Sequence, residues 1–354
     1  MMPDRVAELP EVPPTVEDLY GHPRFGTYRG ELEKVALERL RGPFSLPAPI
    51  RFLKHKRWTY AQVVTPEAVA VAGIAHLGYT ANAFVTAVDL RSRTRLFDSG
   101  FLALPGTRAE ITDAPGEGLR ASFRRPGARV EIRRERPGDR YVIDIAVRPL
   151  NPLAHALHWN GEIAAPASAP AITVISPVAP DGVVNVTQKR AALQASGALR
   201  IGHRRVSLDG GIAGVDYTNG LLARNTRWHW AMMNGRLVDG TPIGLNLVEG
   251  INDVNAACNE NALWLGDQLH PLPRARFRPG AFPTRDAWRV ETVDDSVSLR
   301  FEPVHTHRDE RDLKIVRSRF LQPLGLFSGT IRAVGRTLEI RDLGGVTEIQ
   351  DILW

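Results

Sequence analysis

The sequence predicts an all-β protein made of two related barrels, or strongly curved sandwiches, in tandem, with a short N-terminal arm and helix outside them. Three observations carry this expectation. Beyond residue 50, short runs alternating apolar and polar side chains recur between turn residues, with almost no helical period. At 354 residues the chain exceeds the roughly 250–300 residues over which a single core usually grows. The stretch RWTYA at residues 57–61 also returns as RWHWA at 227–231, as expected if each half uses the same strand.

Residues 1–46 are expected to form the arm. Its helix is read over 29–42, where Leu32, Val35, Ala36 and Leu40 recur at helical spacing and Gly42 offers a stop. Residues 47–180 form the expected first β-domain, with strands in YAQVVT, AVAVAGIAHLG, AFVTAVDL, ARVEIRRE and RYVIDIAV. It ends in the Ala/Pro-rich stretch 161–182, expected as a linker or a long edge crossing. Residues 181–354 form the second domain, with strands in VVNVTQK, ALRIG, RWHWAMM, PIGLNLV, NALWLG, AWRVETV, SVSLRFEPV and TLEIRDL.

Composition bounds the function. At 43% hydrophobic and 24% charged the chain lies in the ordinary globular range. Its net charge of +6 comes from 45 basic residues scattered among 39 acidic ones. The densest basic stretches, LKHKRW, EIRRERPGDR and RIGHRR, read as strand faces, so no nucleic-acid partner is expected. The single Cys258 excludes an intrachain disulfide framework and fits a reducing compartment. The N-terminus lacks a secretory apolar segment, and the apolar run 164–180 is broken by Pro166, Pro170 and Pro177. No integral membrane segment and a cytoplasmic location are the expectations.

No cofactor or metal is expected either. There is no glycine-rich phosphate cradle in a strand-to-helix context and no nucleophile elbow. His305 and His307 have metal-site spacing but lie in HTHRDERD, which reads as a solvated loop. Cys258 in an apolar run reads as inert core.

The candidate site comes from the second copy of the repeat. On a strand, Trp228 and Trp230 share one face while Arg227 and His229 share the other. The two indoles either fill a core or line a cavity for an apolar ligand. Polar residues crowd the neighbouring sequence. Asp216 precedes a Thr-Asn-Gly turn, which reads as exposed. Glu260 is in phase with Cys258, Ala262 and Trp264; as an internal carboxyl it becomes an acid candidate, and its structural alternative is pairing with Arg224 or Arg227. Asn246 and Asn261 interrupt apolar strands, and with Arg224, Thr226 and Trp264 they complete the expected ligand-binding set.

The segments DYTNGLLARNTRWHW, GLNLVEG, NENALW, NVTQK and LGLFSGT resemble the bacterial family known as domain of unknown function 2804. A more distant similarity links the Asp ahead of a Trp-x-Trp strand, followed by the Asp239-Gly240 turn, to carotenoid 1,2-hydratases and their tandem lipocalin-like relatives. That resemblance implies two lipocalin-like barrels. It also implies an Asp, here Asp216, that protonates an alkene between aromatic walls stabilising the cation.

The sequence thus predicts a lipocalin-like protein whose C-terminal half and inter-barrel region bind an apolar small molecule, isoprenoid or lipid-like. Its enzymatic form is an acid catalyst of hydration, cyclisation or isomerisation, with Asp216 as proton donor and Glu260 as second acid. The alternatives are a non-catalytic lipid carrier and a glycoside hydrolase or lyase using the carboxylate pair. The sequence leaves the ligand and the oligomeric state open.

Overall fold

A computed structural model describes residues 8–103, 109–135, 137–149, 151, 155–252, 257–312 and 317–354. Among these the chain forms two antiparallel sheets. The first has 14 strands. Its main path runs Thr94–Ala103, Ala81–Asp89, Ala68–His76, His55–Val64, Gly211–Leu221, Val184–Ile201, Leu157–Ala164, Arg140–Val147, Ala128–Arg134, Leu119–Arg125 and Ala109–Ile111. The sheet curls until Ala109–Ile111 returns against His55–Val64 and Ala68–His76, giving a nearly closed barrel. The second sheet has nine strands, ordered Gln268–Pro271, Ala262–Leu265, Pro242–Glu249, Asn225–Arg236, Arg336–Leu353, Arg317–Ala333, Val297–Asp312, Trp288–Thr292 and Ala275–Arg278. The tandem lipocalin-like architecture is therefore present.

Strand periodicity places side chains in three layers. Val63, Val186, Val215 and Tyr217 fill the first barrel, and Ala231, Met233, Leu245 and Phe327 fill the second. Side chains of opposite parity, including Tyr60, Val71, Trp230, Met232 and Val346, pack between the two sheets. The sheets approach closely there because some positions carry no side chain: a Cβ on Gly214 would lie 2.5 Å from the Met232 sulfur.

Two expectations about boundaries differ from what is observed. Strands Val184–Ile201 and Gly211–Leu221 belong to the first sheet, so the sheets part between Leu221 and Asn225, whereas 180/181 was the expected division. The Ala/Pro-rich stretch is no free linker. Leu157–Ala164 and Ile172–Pro177 are both strands of the first sheet, and the second pairs with Gly26–Arg29 and Val184–Ile201.

The helix expected over 29–42 is absent. The strand Gly26–Arg29 ends at its start, the 3-10 turn Leu37–Arg39 lies in its second half and the 3-10 turn Gly42–Phe44 begins at its end, and the α-helix among the described residues is Ala48–Lys54, opened by proline. Leu32, Val35, Leu37 and Leu40 are buried, but inside the first barrel, where the arm joins its core. Where the arm enters the barrel, its backbone bonds barrel groups: Leu32 N–H donates to Gln188 Oε1 and Val35 N–H to the Asp113 carbonyl. Glu31 enters with it, ion-paired to Arg134 and Arg190. The barrel interior is thus filled by its own chain.

Candidate active site

With both barrel interiors packed, an apolar cavity lies between the sheets. It measures about 510 Å³, within the usual range for small-molecule sites. Apolar walls come from Ile74, Ala83, Phe84, Val248, Ile251 and Ile352. Four of its charged groups, Lys189, Asp216, Glu260 and Glu348, are buried, and a fifth and sixth, Asp309 and Arg311, are half-buried and paired with each other.

The repeated pentapeptide builds the centre of this cavity. Trp58 and Trp228 stack with ring centroids 5.7 Å apart and planes 16° apart, and Tyr60 meets Trp230 edge-on at 5.2 Å. Each Trp donates its indole N–H to a carboxyl on the neighbouring strand: Trp58 to Asp216 at 3.2 Å and Trp228 to Glu348 at 2.8 Å. The registers are equivalent, for Asp216 lies opposite Tyr60 and Glu348 opposite Trp230. Two copies of one half-site therefore face each other across the sheets. That is the structural meaning of the repeat.

The copies differ on the far side of the carboxyl. Lys189, opposite Asp216 in the register, places Nζ 2.6 Å from Asp216 Oδ1, 3.5 Å from Glu260 Oε2 and 5.4 Å from the Trp230 ring centre. Burial alone would push this ammonium down, but the Asp216 and Glu260 carboxylates outweigh burial and hold it above the usual lysine range. Burial pushes Glu260 up, against the pull of Lys189. In the second copy the corresponding donor is an amide: Gln322 Nε2 bonds Glu348 Oε2 at 2.8 Å. Burial pushes Glu348 up to about 7, and the hydrogen bonds from Gln322 and Trp228 pull it only part of the way back.

A further acid joins the sheets beside the cavity. Asp98, on Thr94–Ala103, is bonded by His305 Nε2 at 2.7 Å and His307 Nδ1 at 2.6 Å, both on Val297–Asp312. Burial would raise its carboxyl, yet the two imidazoles outweigh burial and hold it well below the usual carboxylate range. The His307 ring stacks on Phe84 at 4.8 Å in the cavity wall. The expected solvated loop is thus a strand facing a carboxylate.

Of the residues singled out by sequence, Asp216, Glu260, Trp228 and Trp230 converge on the cavity. Asp216 is not on an exposed turn: it sits mid-strand and is buried, because Asp-Tyr-Thr-Asn-Gly is the heart of Gly211–Leu221. Glu260 pairs with Lys189, and Arg227 pairs with Asp351 instead. The other expected ligand contacts lie off the cavity and serve the scaffold. The Arg224 guanidinium bonds the Trp354 carbonyl, and Thr226 bonds the Ala223 carbonyl and accepts the Trp354 indole N–H. Asn246 accepts from the Trp230 indole and donates to the Glu260 carbonyl, thereby orienting two cavity residues from behind. Asn261 satisfies Val248 N–H and the Pro273 carbonyl, and Trp264 donates to the Pro170 carbonyl.

Sequence reasoning passed over Lys189, Glu348, Gln322, Trp58, Tyr60 and His307 as cavity groups. Trp58 and Tyr60 lay in plain view in the first copy of the repeat. For Glu348 the available signal was one acid in the alternating run Val346, Glu348, Gln350, and for Lys189 the alternation Asn185, Thr187, Lys189.

A family profile described as domain of unknown function (DUF2804) matches residues 11–354. Among curated proteins none matches the chain. The solved structure of CghA with Sch210972 superposes with a TM-score of 0.51 at 10% identity, covering 85% of this chain and 89% of that one. A putative AttH from Nitrosomonas europaea covers 88% of this chain and 96% of its own, at 15% identity and a TM-score of 0.49. Kievitone hydratase from Nectria haematococca covers 99% and 98%, at 10% identity and a TM-score of 0.48. The likeness to CghA establishes the shared fold and nothing finer. No helix among the described residues is long and apolar enough to cross a membrane.

Proposed function

The chain belongs to the DUF2804 family, and we propose that it is an acid–base enzyme acting on an apolar, unsaturated small molecule held between its two barrels. One observation carries the reading: buried ionisable side chains converge with stacked indoles in one apolar cavity of about 510 Å³. Burial of an acid bonded only to neutral donors, as Glu348 is, is unfavourable in a purely structural core, and it tunes the carboxyl for proton transfer. Indole faces and a fixed carboxylate stabilise a developing cation in a site with little water. Hydration, cyclisation and isomerisation all pass through such a state. Asp216, ion-paired to Lys189 at 2.6 Å, suits the role of carboxylate facing the cation better than that of proton donor. The apolar walls favour an isoprenoid or lipid-like molecule over a sugar.

The test is incubation of the protein in deuterated buffer with farnesol, squalene and other isoprenoid alkenes, followed by mass spectrometry. The expected result is protein-dependent gain of deuterium in at least one compound, lost in Asp216→Asn. A compound that binds wild type and Asp216→Asn equally and never exchanges would make the protein a carrier. Absence of any binding would remove the apolar-ligand reading.

A further inference from the structure

We infer that Glu348 is the acid that protonates the bound molecule, and that Asp216 on the opposite sheet is the carboxylate that faces the resulting cation. The inference rests on the acid–base reading above. It goes further in dividing the labour between the two copies of the half-site.

The geometry makes the assignment. Both carboxyls receive an indole N–H from the Trp of their own pentapeptide, at equivalent register, so orientation does not distinguish them. What distinguishes them is the second donor, an ammonium at Asp216 and an amide at Glu348. An ammonium 2.6 Å away sets a positive charge against Asp216, whereas a neutral amide sets none against Glu348. Both oxygens of Glu348 already accept hydrogen bonds, Oε1 from Trp228 and Oε2 from Gln322. With these two bonds in place the proton of the neutral acid is left for whatever fills the cavity that Glu348 lines. The charged groups facing Glu348 are Lys189 and Asp216 on the first sheet, with the phenol of Tyr60 beside them. Burial in this setting pushes Glu348 up to about 7, where it is both protonated and able to release the proton near neutral pH.

The step balances. The alkene π pair takes the proton from the Glu348 carboxyl and forms a C–H bond, leaving a cation on the adjacent carbon and a carboxylate at Glu348. Loss of a proton from a neighbouring carbon to Asp216 re-forms a double bond and gives an isomer. Water attacking the cation and passing its proton to Asp216 gives a hydrate. Exchange with solvent then returns Asp216 to the carboxylate and Glu348 to the acid. Lys189 and Gln322 act through the carboxyls they bond and are positioning residues.

The experiment measures the rate of deuterium incorporation against pH for wild type, Glu348→Gln and Gln322→Lys, using the alkene that wild type labels best. Near-ultraviolet circular dichroism checks each fold. Gln322 Oε1 has no partner, so an amide flip can accommodate Glu348→Gln without loss of packing. The expected results are a wild-type rate that falls above about pH 7, a loss of about 10²- to 10⁴-fold in Glu348→Gln, and a fall moved to lower pH in Gln322→Lys. Full activity in folded Glu348→Gln, or a pH profile unmoved by Gln322→Lys, would overturn the assignment while leaving the acid–base reading intact. A wild type that labels none of the alkenes would bring down both.

Discussion

The two copies of the aromatic pentapeptide share one geometry and differ in charge. Around Trp58 a carboxylate is locked to a buried ammonium; around Trp228 a carboxyl is held by an amide and carries its own proton near neutral pH. The repeated stretch supplies a frame of two stacked indoles and two opposed acids. One substituted neighbour, Lys189 against Gln322, then makes the copies unlike. Pairs of acids with divergent environments are how one site holds a donor and an acceptor together.

The largest expected effect comes from stripping the charged copy of its cation. Lys189→Met leaves Asp216 and Glu260 buried beside each other without a counter-charge, and should destabilise the fold by roughly 3–5 kcal/mol in urea unfolding. Adding Asp216→Leu should recover much of that loss. A neutral single variant would mean that no ion pair exists and that the copies do not differ.

The neutral copy should behave in the opposite way. The folded protein keeps a proton on Glu348 up to about pH 7, whereas the unfolded chain releases it near the ordinary glutamate value of 4.5. Wild-type stability therefore falls as pH rises from 4.5 to about 7, relative to Glu348→Gln. At pH 8 the variant should be the more stable by roughly 3 kcal/mol, and below pH 4 the difference should vanish. Denaturant midpoints at the two pH values decide this.

Asp98 offers a third arrangement, a carboxylate between two imidazoles. Its proton affinity is depressed in the folded state, so its contribution is present above the unfolded carboxyl range and lost as pH falls. Asp98→Asn should destabilise by about 1.5–3 kcal/mol at pH 7, and the gap should close in acid. A gap independent of pH would assign Asp98 to packing alone. The smallest effect should separate Trp58→Phe from Trp228→Phe. Removing an N–H donor from the ion-paired Asp216 should be worse by about 1 kcal/mol than removing one from the neutral Glu348.

The strands and the repeat were legible in the sequence because period-2 alternation and the pentapeptide are local signals. The shared face of Trp228 and Trp230 followed from the same rule. The partners of those residues were not legible. Asp216 reaches Tyr60, and Glu348 reaches Trp230, only through strand pairing across long stretches of chain, which leaves no mark near either residue. Turn chemistry misled at Tyr217–Gly220, where burial in a barrel strand overrides the preference of Asn and Gly for turns. The arm misled in a related way. Its apolar residues have helical spacing but insert into a barrel that supplies their backbone partners. Asn246 and Asn261 illustrate a further limit, for a polar residue in an apolar strand reads the same whether it meets a ligand or a backbone group.

The most direct test of the unlike half-sites is a carbon-13 NMR titration of side-chain carboxyls, with Glu348→Gln used to assign the Glu348 signal. The account predicts that Glu348 titrates near pH 7 in the wild type, and that Gln322→Lys moves it to lower pH. A Glu348 signal that titrates in the ordinary range around 4.5, unmoved by Gln322→Lys, would contradict it.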